Sequence, residues 1–225
     1  MRYFMDISYL GTNYHGWQIQ PNGITVQEEI EKALSTILKQ KLSIIGSGRT
    51  DAGVHASQQV AHFDFSDEID TLELTRKLNS FLGNDIAIKS IRKVDENVHA
   101  RFSAISRTYH YYINSEKNPF NQGQSYFFKP ALKTAEIHKA CKILMDWENF
   151  ECFSKVHTEV NHFRCDIQVA KWYRIGAKNF FVITADRFLR GMVRAIVGTL
   201  LDIVSNSSSV IFSKPISSNS WYIAR

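Results

Sequence analysis

The chain opens with residues that alternate between hydrophobic and polar character. The alternation from Tyr3 to Tyr9 has a period of two and predicts a half-buried first strand. A capping box, Thr25-Val-Gln-Glu28, then precedes apolar residues at helical spacing, which predicts a helix that reaches about Leu38. A strand followed by a helix is therefore expected at the start of the protein.

The same patterns divide the rest of the chain into short strands and helices. Strands are predicted at 42–45, 59–65, 86–94 and 108–113, a hairpin at 168–175 and 180–185, and helices at 72–81, 134–145 and 189–204. The order strand, helix, hairpin thus occurs twice. We therefore expect an α+β protein of two similar halves, 1–105 and 106–204, with mainly antiparallel sheets flanked by helices.

The last segment, 205–225, differs in composition from both halves. It contains eight serines and no periodicity beyond the apolar pair Val210-Ile211. Such a composition predicts a tail without regular packing.

Composition excludes several classes of protein. The 225 residues are 44% hydrophobic and 22% charged, which argues against a disordered, collagen-like or coiled-coil chain. The three cysteines are an odd number with no signal peptide before them, and no apolar run reaches the roughly 18 residues that span a bilayer. We expect a cytoplasmic protein without disulfides or a membrane segment.

Charge is distributed unevenly along the chain. Residues 1–105 contain 11 basic and 13 acidic side chains, a net charge of −2, whereas residues 106–225 contain 16 and 9, a net charge of +7. A basic face would therefore be formed mainly by the second half.

A glycine-rich loop at 46–55, Gly-Ser-Gly-Arg-Thr-Asp-Ala-Gly-Val-His, carries the most informative chemistry. It lacks the Gly-Lys-Ser/Thr of a phosphate-binding loop and instead presents the carboxylate of Asp51. Arg49, two residues earlier, would favour the ionised carboxylate, which is a possible nucleophile. The alternative is an Asx-turn, in which Asp51 bonds only to its own backbone.

The segment from Gly48 to Ala56 resembles the signature of the tRNA pseudouridine synthase A family. Further matches follow in the family's order: Tyr14-His-Gly-Trp-Gln18, Val26-Gln-Glu28, Gln59-Val-Ala-His-Phe63, His99-Ala-Arg-Phe-Ser-Ala104, Arg107-Thr-Tyr-His-Tyr111, Phe150 with Phe153-Ser154, and Phe188-Leu-Arg-Gly-Met-Val-Arg-Ala-Ile-Val-Gly198. The resemblance covers about residues 2–204.

The resemblance implies the pseudouridine synthase fold with a catalytic cleft between the two halves. It implies isomerisation of uridine to pseudouridine at nucleotides 38, 39 and 40 of the tRNA anticodon stem-loop, by a homodimer that needs neither cofactor nor metal. Asp51 then corresponds to the catalytic aspartate. Attack of its carboxylate on C1′, attack on C6 and a glycal route all remain open.

The resemblance also assigns roles to three other residues. Arg49 would pair with Asp51 and support the flipped nucleotide, while Tyr109 would contact the uracil and help to remove the proton from C5. Arg194 would contact Asp51 or a phosphate. On the predicted helix it shares a face with Arg187 and Arg190, which we expect to contact the tRNA backbone.

Two other functions and one metal site are weaker alternatives. Family members usually continue for about 40 residues beyond Val204, so a catalytically weakened tRNA-binding protein or RNA chaperone of the same fold is the main competitor. An aspartyl hydrolase would need an Asp-Thr/Ser-Gly pattern, which Asp51 does not begin. A zinc site is weakly suggested by four residues whose side chains can bind the metal, Cys152, His157, His162 and Cys165. Their spacing along the chain differs from that of common zinc sites.

Overall fold

The computed structural model describes residues 1–121, 123–155, 160–205 and 221–224. The chain divides into two compact units, the first formed by Met1–Ala104 with Tyr222–Arg225, and the second by Ile105–Trp221. Each unit combines helices with a mainly antiparallel sheet, so the predicted α+β class is confirmed.

The first unit is built on its N-terminal strand. In chain order its elements are β1 (Arg2–Tyr9), α1 (Val26–Leu38), β2 (Ile45–Gly46), β3 (His55–Asp64), α2 (Thr71–Phe81) and β4 (Ile86–Val94), with a short 3-10 helix at Gly11–Asn13. Strand β1 lies between β3 and β4 and is antiparallel to both, and β2 pairs with β3. Its fully buried Met5 and Ile7 contribute to the core of this unit.

Polar side chains cap both helices of the first unit, and the cap of α1 is the one that the sequence predicts. The Thr25 hydroxyl accepts a hydrogen bond from the Glu28 N–H (3.3 Å), which is the bond expected of a capping box. Asp70 caps α2 by accepting from the N–H groups of Leu72 and Glu73.

The second unit has a similar composition of elements. It contains β5 (Arg107–Asn114), β6 (Tyr126–Phe127), α3 (Thr134–Asp146), β7 (Ile167–Ile175), β8 (Lys178–Ala185) and α4 (Met192–Ser205), with 3-10 helices at Pro119–Asn121 and Glu151–Phe153. Strand β8 is antiparallel to both β5 and β7, and β6 runs parallel to β5. Helix α3 packs on β7 and beside α4.

One further strand, β9 (Trp221–Ala224), lies within the segment for which the sequence predicts no regular structure. It pairs in parallel with the start of β3, with Tyr222 opposite His55 and Ile223 opposite Ala56. Most of the predicted tail, residues 206–220, lies outside the described residues.

Candidate active site

The loop between β2 and β3 carries Asp51, and residues 47–54 are called the Asp51 loop below. Its first residues are fixed to β3. The Ser47 N–H donates to the Val60 carbonyl (2.7 Å), and the side-chain amide of Gln59 donates to the Gly48 carbonyl (2.8 Å). The loop therefore leaves the sheet from a fixed position.

The backbone on either side of Asp51 is held by the segment that follows β1. The Trp17 N–H donates to the Thr50 carbonyl (3.3 Å), and the Gly53 N–H donates to the Tyr14 carbonyl (3.2 Å). Asp51 itself is half-buried. Its backbone is thus constrained while its side chain retains access to solvent.

A buried pair of hydroxyls supports the same loop from the sheet. The Tyr9 and Thr50 hydroxyl oxygens are 3.0 Å apart, and the two residues are only 4% and 9% exposed. This hydrogen bond links the end of β1 to the residue before Asp51. A shift of either side chain would therefore be transmitted directly to the aspartate's backbone.

Close packing against Gly16 also restricts the loop. Gly16 has a φ of +91°, and a Cβ there would collide with the Thr50 carbonyl oxygen and lie 3.1 Å from the Asp51 carbonyl carbon. Gly53 has a φ of +77°, and the next residue, Val54, donates its N–H to the Asp51 carbonyl (3.3 Å). Glycine is required at these positions because other L-residues rarely adopt such a φ.

His55, the last residue of the predicted loop, is the first residue of β3 and is fully buried. Its Nδ1 accepts the Gly11 N–H at 3.0 Å. The structure therefore gives His55 a supporting role.

In the second unit, Tyr109 lies on β5 and is half-buried. Its ring meets the Phe188 ring edge-on, with the centroids 5.1 Å apart and the planes at 89°. Edge-to-face packing is a favourable aromatic geometry. The orientation of Tyr109 therefore depends on residues 186–191, called the Phe188 loop below.

Asp186 makes several of the hydrogen bonds that hold the Phe188 loop. One carboxylate oxygen of Asp186 accepts the N–H of Arg187 (2.7 Å) and the N–H of Asp166 (2.8 Å). The Arg107 guanidinium donates to the Asp186 carbonyl (2.8 Å). The end of β8 is thus tied to the segment that enters β7 and to the start of β5.

The prediction of a helix over 189–204 was wrong at its start. Gly191 has a φ of +76°, and α4 begins at Met192, because this left-handed conformation interrupts the helix. Arg187 and Arg190 precede the helix, so they do not share a helix face with Arg194. Arg194 is half-buried in the first turn of α4, and Arg190 is exposed.

Two thiols in the second unit are buried and protonated. Burial raises the pKa of the Cys141 thiol and of the Cys165 thiol to about 11. The Cys165 sulfur lies 3.8 Å from the sulfur of Met192, under the Phe188 loop. Neither thiol is a ready nucleophile or metal ligand near neutral pH, because the thiolate is the reactive form.

Within the described ranges, no group of three His, Cys, Asp or Glu residues is arranged to hold a metal ion. His157, one member of the weak zinc pattern, lies outside those ranges. None of the described helices is long and apolar enough to cross a membrane.

The predicted site residues are divided between the two units. Asp51 and Arg49 belong to the first unit, whereas Tyr109, Arg190 and Arg194 belong to the second. The pairing of Arg49 with Asp51 and the cleft between the halves stay predictions. Arg49 is exposed, next to the buried Thr50.

Sequence reasoning missed the residues that support the Asp51 loop. The segment 14–18 was found only as a matching motif, and its periodicity gives no sign that Tyr14, Gly16 and Trp17 contact residues 50–53. Tyr9 was predicted only as a strand residue. The sequence offers one signal of this close approach between backbones, which is the glycine at position 16 next to Trp17 in the motif.

Comparisons with known proteins agree with the motifs. A family model for tRNA pseudouridine synthase matches residues 6–103 and 140–212. The tRNA pseudouridine synthase A of Bacteroides thetaiotaomicron is 49% identical over 205 residues, which cover 90% of this chain and 76% of that protein.

Further relatives have the same description. The tRNA pseudouridine synthase A of Parabacteroides distasonis is 50% identical over 203 residues (90% of this chain, 81% of that protein), and that of Bacillus subtilis is 39% identical over 206 residues (90% and 83%). These matches confirm the resemblance inferred from the motifs.

Proposed function

The chain belongs to the tRNA pseudouridine synthase A family and is an isomerase, and we propose that it converts uridine to pseudouridine at nucleotides 38, 39 and 40 of the tRNA anticodon stem-loop. The N1–C1′ bond of the nucleotide breaks, the uracil rotates, and a C5–C1′ bond forms. C5 loses a proton and N1 gains one. The reaction is redox-neutral and consumes no water, so it requires no cofactor.

Asp51 is the proposed catalytic nucleophile. The observation that carries this proposal is the support of its loop, in which Thr50 and Gly53 are held by hydrogen bonds while Asp51 remains half-buried. A carboxylate held in place in advance loses little freedom when it reacts. It can attack C1′ or C6, or assist departure of the uracil through a glycal.

Tyr109 is the proposed contact to the uracil and assists removal of the C5 proton. Its edge-on packing against Phe188 limits rotation of the ring. The aromatic face suits stacking on a base. The phenolic hydroxyl can both donate and accept a hydrogen bond, which suits a group that assists transfer of the C5 proton.

Three arginines are proposed to bind the rest of the nucleotide and its neighbours. A uridine in a stem must leave the base stack, at a cost of a few kcal/mol. Arg49 supports the flipped nucleotide, Arg194 contacts Asp51 or a phosphate, and the exposed Arg190 contacts the tRNA backbone. The net charge of +7 in residues 106–225 supports a phosphate-binding role for the second half.

The proposed active form is a homodimer in the cytoplasm, in which one subunit helps to position the tRNA that the other modifies. Sedimentation of the purified chain with and without tRNA tests this part. A species of one subunit that retains full activity would contradict it.

The decisive test of the function is Asp51→Ala and Asp51→Asn with an unmodified tRNA transcript. We expect both variants to bind tRNA and to form no detectable pseudouridine, since neither supplies a carboxylate. Turnover at the wild-type rate would contradict the nucleophile. If the wild-type chain binds tRNA without forming pseudouridine, the protein is a binding protein of the same fold.

A further inference from the structure

The turn after β4 holds a phenylalanine in solvent. Phe102 is 78% exposed although burial of a Phe side chain is one of the larger favourable contributions to folding. The turn is nevertheless well defined. The His99 Nδ1 accepts the N–H groups of Arg101 (3.1 Å) and Phe102 (3.3 Å), and the His99 carbonyl accepts the Ser103 N–H (2.8 Å).

A series of aromatic rings connects the exposed Phe102 to the sheet. Phe4 on β1 packs against His62 on β3 (6.0 Å between centroids), His62 against His99 (4.6 Å), and His99 against Phe102 (4.4 Å). The buried His62 also accepts the Ala100 N–H at 3.2 Å. The exposed Phe102 ring is therefore held by its contact with His99, which in turn packs against the sheet through His62.

A cation accompanies the exposed ring. The Arg101 guanidinium lies over the Phe102 ring, 5.8 Å from its centroid, and Arg101 is exposed. An aromatic face beside a guanidinium suits a nucleobase and its phosphate.

We propose that Phe102 and Arg101 form a stacking site for an unpaired base of the RNA substrate. This inference rests on the proposed function, because it takes tRNA as the ligand. RNA is recognised largely through unstacked bases that pack on aromatic side chains and arginine planes. The site positions substrate and takes no part in the bond changes.

A contact with an apolar protein surface is the competing explanation for an exposed phenylalanine. Ile105, three residues later, is also exposed (87%). The two explanations differ in chemistry, because stacking needs an aromatic ring whereas an apolar contact needs only hydrophobic surface. Arg101 beside the ring favours the base.

The test compares Phe102→Leu, Phe102→Ala and Phe102→Tyr for tRNA affinity at a fixed salt concentration. Stacking of one base on an aromatic ring typically contributes about 5- to 150-fold in affinity. We therefore expect the Leu and Ala variants to raise the Kd by at least about fivefold and to a similar extent, while the Tyr variant stays within about twofold. The dependence of affinity on salt should not change with Phe102→Leu, since no phosphate contact is lost.

Phe120→Ala is the matched control, because Phe120 is 92% exposed in the second unit, and it should leave the Kd unchanged. If Phe102→Leu binds tRNA as tightly as wild type, or if Phe120→Ala weakens binding as much as Phe102→Ala, the stacking site is wrong. The Kd for tRNA is measured without turnover. A wild-type chain that forms no pseudouridine would therefore contradict the proposed function but would not affect the comparison of tRNA affinities among the Phe102 variants.

Discussion

The Asp51 loop and the Phe188 loop both carry or position residues proposed for the reaction, but they are held in different ways. The Asp51 loop is supported mainly through its own backbone, by Trp17, Tyr14 and the close approach of Gly16. The Phe188 loop also has main-chain support, such as the bond from the Lys155 N–H to the Arg190 carbonyl (3.0 Å), but two of its hydrogen bonds converge on one carboxylate oxygen of Asp186. The Asp51 loop should therefore be most sensitive to residues that press on its backbone, whereas removal of one carboxylate should loosen the Phe188 loop.

Burial also differs between the two loops. Thr50 and His55 at the two sides of Asp51 are 9% and 0% exposed, so an orphaned polar group there cannot be rescued by water. Asp186 is half-buried, so water can partly replace its hydrogen bonds. The difference leads to three predictions in order of decreasing effect on stability.

Replacement of Gly16 should have the largest effect. Gly16→Ala places a Cβ against the Thr50 carbonyl oxygen and forces a non-glycine residue to adopt a φ of +91°. Overpacking and the left-handed conformation together should cost about 3 kcal/mol in the free energy of unfolding and lower kcat. Urea denaturation and single-turnover assays provide the two measurements.

Gly176→Ala is the control for this prediction, since Gly176 has a φ of +61° but no atom within 4 Å of the added Cβ. It should cost only about 1 kcal/mol and leave turnover unchanged. Equal costs at the two glycines would show that close packing under Asp51 contributes little.

Removal of the Asp186 carboxylate should have the next largest effect. Asp186→Ala leaves the N–H groups of Arg187 and Asp166 without their acceptor and should destabilise the protein by about 2 kcal/mol. Because one oxygen accepts both bonds, Asp186→Asn can retain them and should cost about 0.5 kcal/mol or less. Thermal unfolding of both variants measures the difference.

An Asn variant as unstable as the Ala variant would mean that the charge of Asp186, rather than its acceptor oxygen, holds the Phe188 loop. Fluorescence or NMR of Tyr109 would then show whether its contact with Phe188 is lost in both variants.

Loss of one hydroxyl under Asp51 should have the smallest effect on stability. Tyr9→Phe removes the partner of the buried Thr50 hydroxyl and should cost about 1 kcal/mol. Because the adjacent backbone carries Asp51, we also expect kcat to fall about tenfold with little change in KM. Adding Thr50→Val to this variant should have little further effect, since both changes remove the same bond.

Tyr3→Phe is the control, because the Tyr3 hydroxyl accepts the Ile69 N–H (3.2 Å) and donates to the Asp67 carbonyl (3.3 Å), both away from the Asp51 loop. It should destabilise the protein at least as much as Tyr9→Phe without changing kcat. A tenfold loss of kcat in both variants would mean that turnover follows stability and not the position of Asp51.

Local sequence patterns predicted the elements whose signals are local. The capping box at Thr25 located the start of α1, and the alternation after Arg2 located β1. These features depend on residues that are close together in the chain.

The sequence predicted less where contacts join distant segments. Gly191 interrupts the helical pattern only through its backbone conformation, so the start of α4 was misplaced. The hydrogen bonds from Tyr9 and Trp17 to Thr50 join residues that are more than thirty positions apart in the sequence, so hydrophobic periodicity cannot predict them. The resemblance of motifs identified Asp51, while the groups that hold it required the structure.

During synthesis on the ribosome, the first unit cannot complete its sheet from its own N-terminal sequence. The backbone of His55 and Ala56 acquires its parallel partner only from Tyr222 and Ile223. An unpaired strand edge beside the Asp51 loop is therefore present until residues 222 and 223 have been made, and such edges favour association with other chains. Translation that stops early would leave this edge open in an otherwise complete N-terminal unit.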